Sequence, residues 1–255
     1  MGEILLDSYR ADAEHFYTTD PDYKRDVAEM CDIIQRDIHE RVVAVDLEAT
    51  LVSDRIGAFY NSKHERLEVN PFDRLRRPLS NELLQALVDA HNEVILWTSM
   101  ISDLARFVCS FSGLKLPQST GFVAREDYQR ALLNDESGIQ VLQKIVKKFG
   151  EPPSHCNPEG KTPAKYYADL YMNKLGVKIP SVLGVDVLID DQASDHYKFG
   201  CGKFFDNPKE AARFVDVEPF VIGNELTLAR YLRSERGLLA VVRQLPSVLA
   251  EVDSL

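Results

Sequence analysis

Apolar and polar positions along the chain follow two different periods, and the switches between them outline an α/β fold. Three short runs are apolar almost throughout and rich in β-branched residues: Val42 to Val45, Val94 to Trp97, and Val185 to Ile189. Such runs suit strands buried on both faces, as in a parallel sheet. Around them the spacing is helical. Asp20-Pro21 supplies a cap and a first-turn proline for a helix over about 20–40, with Val27, Met30, Cys31 and Ile34 on one face. Ser80 is expected to cap a helix to about Ala90 that carries Leu83, Leu84, Leu87 and Val88. Ser102 or Asp103 begins another, with Leu104, Phe107 and Val108 as its stripe. Thr162-Pro163 opens a helix to about Leu175, where Tyr166, Tyr167, Leu170 and Tyr171 form a packing stripe.

Strands alternating with helices imply an α/β, three-layer, Rossmann-like sandwich around a mostly parallel, doubly wound sheet. Lys203-Phe204-Phe205 is expected as a fourth strand, and the tail beyond Asn224, with Leu226, Leu228, Tyr231 and Leu232, as helix. Three regions follow: an N-terminal helical extension over 1–40, a core over 41–215 and a C-terminal helical extension over 216–255. Within the core, about 113–160 is less regular and is expected to be an insertion or cap. It holds a helix near Gly138 to Phe149 and the proline-rich loop Gly150 to Pro158.

With 255 residues the chain can bury a sizeable core without staples. Its net charge of −10 argues against a broad nucleic-acid-binding face. A phosphate pocket stays open to it, because a bound divalent cation reverses the local sign. The four cysteines (Cys31, Cys109, Cys156, Cys201) lack zinc-site spacing and are expected to be reduced. The N-terminus lacks a signal-peptide pattern, Gly2 lacks a myristoylation context, and no apolar run is long enough to span a bilayer. A cytoplasmic protein without membrane or nucleic-acid partners is expected.

The chemistry gathers at the strand ends. The first run ends in Asp46 and Glu48, the second in Thr98 and Ser99, the third in Asp190 and Asp191. Open parallel sheets bind ligands outside the carboxyl ends of their strands, so three distant segments are expected at one edge. Carboxylates meeting there repel unless a hard cation holds them, and Mg2+ favours such oxygen ligands. Hydroxyls of Thr98 or Ser99 then donate to phosphate oxygens. Asp46 is the expected nucleophile, and Glu48, two residues on, the general acid and base.

This pattern resembles the haloacid-dehalogenase-like superfamily. Asp46-Leu47-Glu48-Ala49-Thr50 matches its first motif, Asp-x-Asp-x-Thr, except at Glu48. Leu96-Trp97-Thr98-Ser99 matches the second, and Leu188-Ile189-Asp190-Asp191 the fourth. With Arg77-Pro78-Leu79, these residues look most like the branch related to RNA polymerase C-terminal-domain phosphatases. The resemblance implies a magnesium-dependent phosphatase with an aspartyl-phosphate intermediate and a small flap over 53–76. Asp46, Glu48 (through its backbone carbonyl), Asp190 and Asp191 would hold the metal. Thr98, Ser99 and a lysine would bind phosphate. Lys178, in Lys178-Ile179-Pro180-Ser181-Val182-Leu183-Gly184, is preferred for the lysine, with Lys161 in Lys161-Thr162-Pro163 as rival. Glu48 is one methylene longer than the motif's aspartate, and a displacement near 1 Å can cost about a hundredfold in rate. The alternatives are therefore a weak or inactive module that binds a phosphorylated partner, and a phosphotransferase. Arg125 and Tyr128 are candidate cleft residues, with surface packing as their simpler role.

Overall fold

The computed structural model describes residues 13–53, 59–61, 66–68, 75–170, 177–193, 208–220 and 234–255. Five parallel strands form the central sheet: β1 (Val42–Asp46), β4 (Glu93–Trp97), β5 (Gly121–Val123), β6 (Val187–Asp190) and β7 (Phe214–Asp216). Their order is β5-β4-β1-β6-β7. Two further strands, β2 (Phe59–Asn61) and β3 (Arg66–Glu68), pair as an antiparallel hairpin within the segment expected to form a flap.

Both faces of the sheet are covered, which explains why its central strands are apolar without alternation. On one face Val43, Val45, Val94, Leu96, Val187 and Ile189 pack against helices. These are α1 (Pro21–Asp37), α2 (Ser80–Asp89), α3 (Ser102–Ser112) and the C-terminal α8 (Leu238–Ser254). On the other, Ala44, Ile95, Trp97 and Leu188 pack against α4 (Arg125–Asn134), α5 (Glu136–Phe149) and α6 (Pro163–Asp169). A short α7 (Pro208–Ala212) precedes β7. The helices expected as terminal extensions thus share one core with the sheet. Arg41, the residue before β1, grips Asp253 near the end of α8, donating to both carboxylate oxygens at 2.8 and 2.5 Å.

Several local expectations change. Residues 113–160 are not an irregular insertion: they supply edge strand β5 and helices α4 and α5. Leu79, in the left-handed region at φ 72°, precedes α2; Ser80 is its first residue and donates its hydroxyl to the Leu51 carbonyl at 2.9 Å instead of capping. Helix α3 keeps Leu104 and Val108 of its expected stripe against the core but turns Phe107 out. It buries Ala105, Val108, Cys109 and Ser112, whose small side chains allow close approach, while Phe107 and Phe111 stack together at the surface with ring centroids 4.9 Å apart. Asp20 and Thr162 cap α1 and α6 as expected, each accepting a backbone amide. The strand placed at 203–205 and the helical stripe at 226–232 lie outside the described residues.

Candidate active site at the carboxyl edge of the sheet

The chain builds outward from β1 in one direction through β4 and β5, then in the other through β6 and β7. Such a reversal splays the connections apart and opens a crevice at the carboxyl ends of the two strands flanking it. Register brings the acids level there. Val45 pairs with Ile189, so the next residues, Asp46 and Asp190, end their strands side by side. Asp46 also pairs with Trp97, which places Thr98 one step beyond on the other flank.

One carboxylate oxygen from each of Asp46, Asp190 and Asp191 lies within 4.8 Å of the other two. Lys178, 3% exposed, reaches them from the segment ahead of β6. Its Nζ donates to Asp46 Oδ1 and, at 2.7 Å, to Asp190 Oδ2. Lys161 sits elsewhere, paired with Asp169 at 2.7 Å and Glu159 at 3.0 Å. Lys178 is therefore the lysine that the fold brings to Asp46.

The electrostatics of this cluster are unbalanced. Three carboxylates face one ammonium, a surplus of two negative charges when all are ionised. Burial pushes the Asp46 carboxyl well above the usual range; Lys178 pulls it back, and Asp190 pushes it up again. Asp191 is pushed up to about 6 by burial and by Asp190, against the pull of Lys178 and the Thr50 hydroxyl. Burial disfavours the Lys178 charge too, but Asp190 and Asp46 outweigh it and hold the ammonium above its ordinary range. Hard, closely set, incompletely neutralised oxygen donors fit a divalent cation such as Mg2+.

Backbone and neighbouring side chains fix the two loops around the acids. Ala49, at φ 57°, takes a left-handed turn that costs a residue with a Cβ roughly 1–2 kcal/mol. The turn folds the chain back, so that Leu51 and Val52 both donate their amides to the Leu47 carbonyl. It also carries Thr50 to Asp191. The Thr50 hydroxyl donates to Asp191 Oδ1 at 3.3 Å and accepts the Asp191 amide at 3.0 Å. Buried Arg77 then ties this turn down, donating through Nη1 to the carbonyls of Thr50 (3.3 Å) and Glu218 (2.7 Å).

Thr98 is buried and accepts the Met100 amide at 3.1 Å. Acting as acceptor there, its hydroxyl keeps its own proton to give. Ser99 is partly buried, and its carbonyl accepts Arg125 Nε at 2.6 Å. Arg125 thus braces this loop rather than packing idly at the surface. Tyr128 lies neither in a cleft nor at the surface: it is wholly buried, and its hydroxyl accepts the Ile179 amide at 2.9 Å. The Glu48 side chain is partly exposed and stands outside the cluster of converging carboxylates. Thr50 and Arg77 were present in the quoted motifs, but their tethering roles have no signature in spacing.

Compared with known proteins, the chain matches no family model and no curated protein. Among the described residues no helix is long and apolar enough to cross a membrane.

Proposed function

We propose that the chain is a magnesium-dependent phosphoric monoester hydrolase of the haloacid-dehalogenase-like kind, working through an aspartyl-phosphate on Asp46. The observation that carries this reading is the convergence of Asp46, Asp190 and Asp191 on one point, with the Lys178 ammonium between two of them. Mg2+ held by these acids would supply positive charge to the phosphoryl oxygens. Asp46 attacks phosphorus, forming an acyl-phosphate bond as the bond to the leaving oxygen breaks. Lys178 and the Thr98 hydroxyl balance charge on the transferring group. Glu48 gives its proton to the leaving oxygen and later takes one from the water that cleaves the intermediate.

The test is release of phosphate from p-nitrophenyl phosphate and a panel of phosphometabolites, with and without Mg2+. Turnover should require the metal and vanish in Asp46→Asn. A full panel without turnover would sink the proposal. Glu48, longer than the motif's aspartate, favours one second reading, a module that binds a phosphorylated partner without hydrolysing it. Magnesium-dependent binding of a phosphopeptide with no phosphate release would select that reading.

A further inference from the structure

We propose that Tyr128 is a positioning residue that sets the Lys178 ammonium against Asp46 and ties it to the Thr98 loop. The proposal rests on the phosphatase reading of the same site.

Tyr128 stands in the first turn of α4, 51 residues from Ile179 in sequence. Its ring packs edge-on against Trp97, with centroids 4.7 Å apart, and Trp97 is the residue before Thr98. A phenylalanine would fill that space equally well. The hydroxyl is what distinguishes tyrosine, and a fully buried hydroxyl must be bonded to be tolerated. It accepts the amide of Ile179, the residue after Lys178.

That amide sits where regular structure offers it nothing. Residues 177–179 belong to neither helix nor strand, Ile179 is extended at φ −126° and ψ 100°, and Pro180, which lacks an amide, opens the 3-10 turn Pro180–Leu183. Val177 and Ile179 both join the core on the α4 face of the sheet, while Lys178 between them turns to the acids. A lysine on a flexible four-carbon stem holds two carboxylates at once only if its backbone is fixed. Tyr128 fixes it one residue away, and the same ring steadies the strand end that presents Thr98.

Tyr128→Phe removes the acceptor and keeps the ring. Amide exchange in the peptide spanning Val177 to Val182 should accelerate at least about tenfold, with the rest of the sheet unchanged. The kcat should fall by about ten- to a hundredfold, in line with a displacement near 1 Å, and KM should move less. In a Lys178→Met background the same change should cost less than about twofold more, because the group it positions is already gone. Equal losses in both backgrounds would overturn the proposal. So would unaltered exchange at 177–182, or a rise spread evenly over the chain, which marks a core residue and nothing more. If the wild type shows no Asp46-dependent turnover, the phosphatase reading fails, and the exchange measurement still decides whether Tyr128 holds the Lys178 segment.

Discussion

Thr50 and Asp191 hold each other twice: the Thr50 hydroxyl donates to the Asp191 carboxylate at 3.3 Å and accepts the Asp191 amide at 3.0 Å. The turn after β1 and the end of β6 are joined through this one side chain, and a carboxylate that faces other carboxylates is oriented by it.

Thr50→Val deletes both bonds at nearly constant volume. The variant should lose about 1–2 kcal/mol in denaturant unfolding, because the Asp191 amide is left without its acceptor. Its Mg2+ affinity should drop about tenfold, the usual scale for removing a partner that orients a metal ligand. Thr50→Ser should keep most of both. Calorimetric Mg2+ titration beside a urea melt checks the pair of effects.

The two lysines separate cleanly. Lys178→Met should lower turnover by about a hundredfold or more while leaving a measurable residue, since among the described residues no other cation stands between Asp46 and Asp190. Lys161→Met breaks only a partly exposed pairing with Asp169 and Glu159 and should leave kcat within about twofold. Steady-state kinetics on any accepted phosphoester reads both. A reversed outcome would move the site.

Arg77→Met strips a donor from the carbonyls of Thr50 and Glu218 inside the protein. The buried Thr50 carbonyl then stands to lose a partner, at about 1–3 kcal/mol, and the partly buried Glu218 carbonyl loses one at a smaller cost. The variant should melt well below the wild type, and the β1 turn should become susceptible to limited proteolysis. Proteolysis that stays confined to other segments would show that the turn is held without Arg77.

Cysteine reactivity offers a pH test. Cys109 is buried, and burial pushes its thiol up to about 12, while Cys156 is exposed. At pH 8 iodoacetamide should label Cys156 and spare Cys109. Because the folded-state value of Cys109 lies above its ordinary 9.0, its contribution to stability is complete below pH 9 and is lost as pH rises towards 12. Cys109→Ala should flatten that part of the alkaline stability profile.

Much of the fold was legible in the sequence because β1, β4 and β6 are interior strands, and burial on both faces demands continuous apolar runs. Edge strands escape that demand. Gly121–Val123 and Phe214–Asp216 are three residues each and half-buried, so they carry almost no pattern. Helix α4 was hidden for another reason: no side chain at Ala124 caps it, and the signal comes from Asp127 reaching back to the Ala124 amide at 3.2 Å. In the site, Asp46, Asp190 and Asp191 could be placed together from strand polarity alone. Strand polarity does not separate Lys178 from Lys161: the preference for Lys178 comes from the resemblance, and because either lysine can reach an acid, tertiary structure is what shows which one meets Asp46. The bracing by Tyr128, Arg125 and Arg77 spans long sequence separations between side chain and backbone, a kind of contact that leaves no periodic trace.

Asp46 is the residue on which the proposed chemistry turns. Acid-quenching the protein during incubation with a labelled phosphoester, then mapping the label by mass spectrometry, tests it most directly. A hydroxylamine-sensitive phosphate should appear on the peptide containing Asp46, only with Mg2+ present, and be missing from Asp46→Asn. Turnover that persists in Asp46→Asn, or proceeds with label on a different residue, would contradict the assignment.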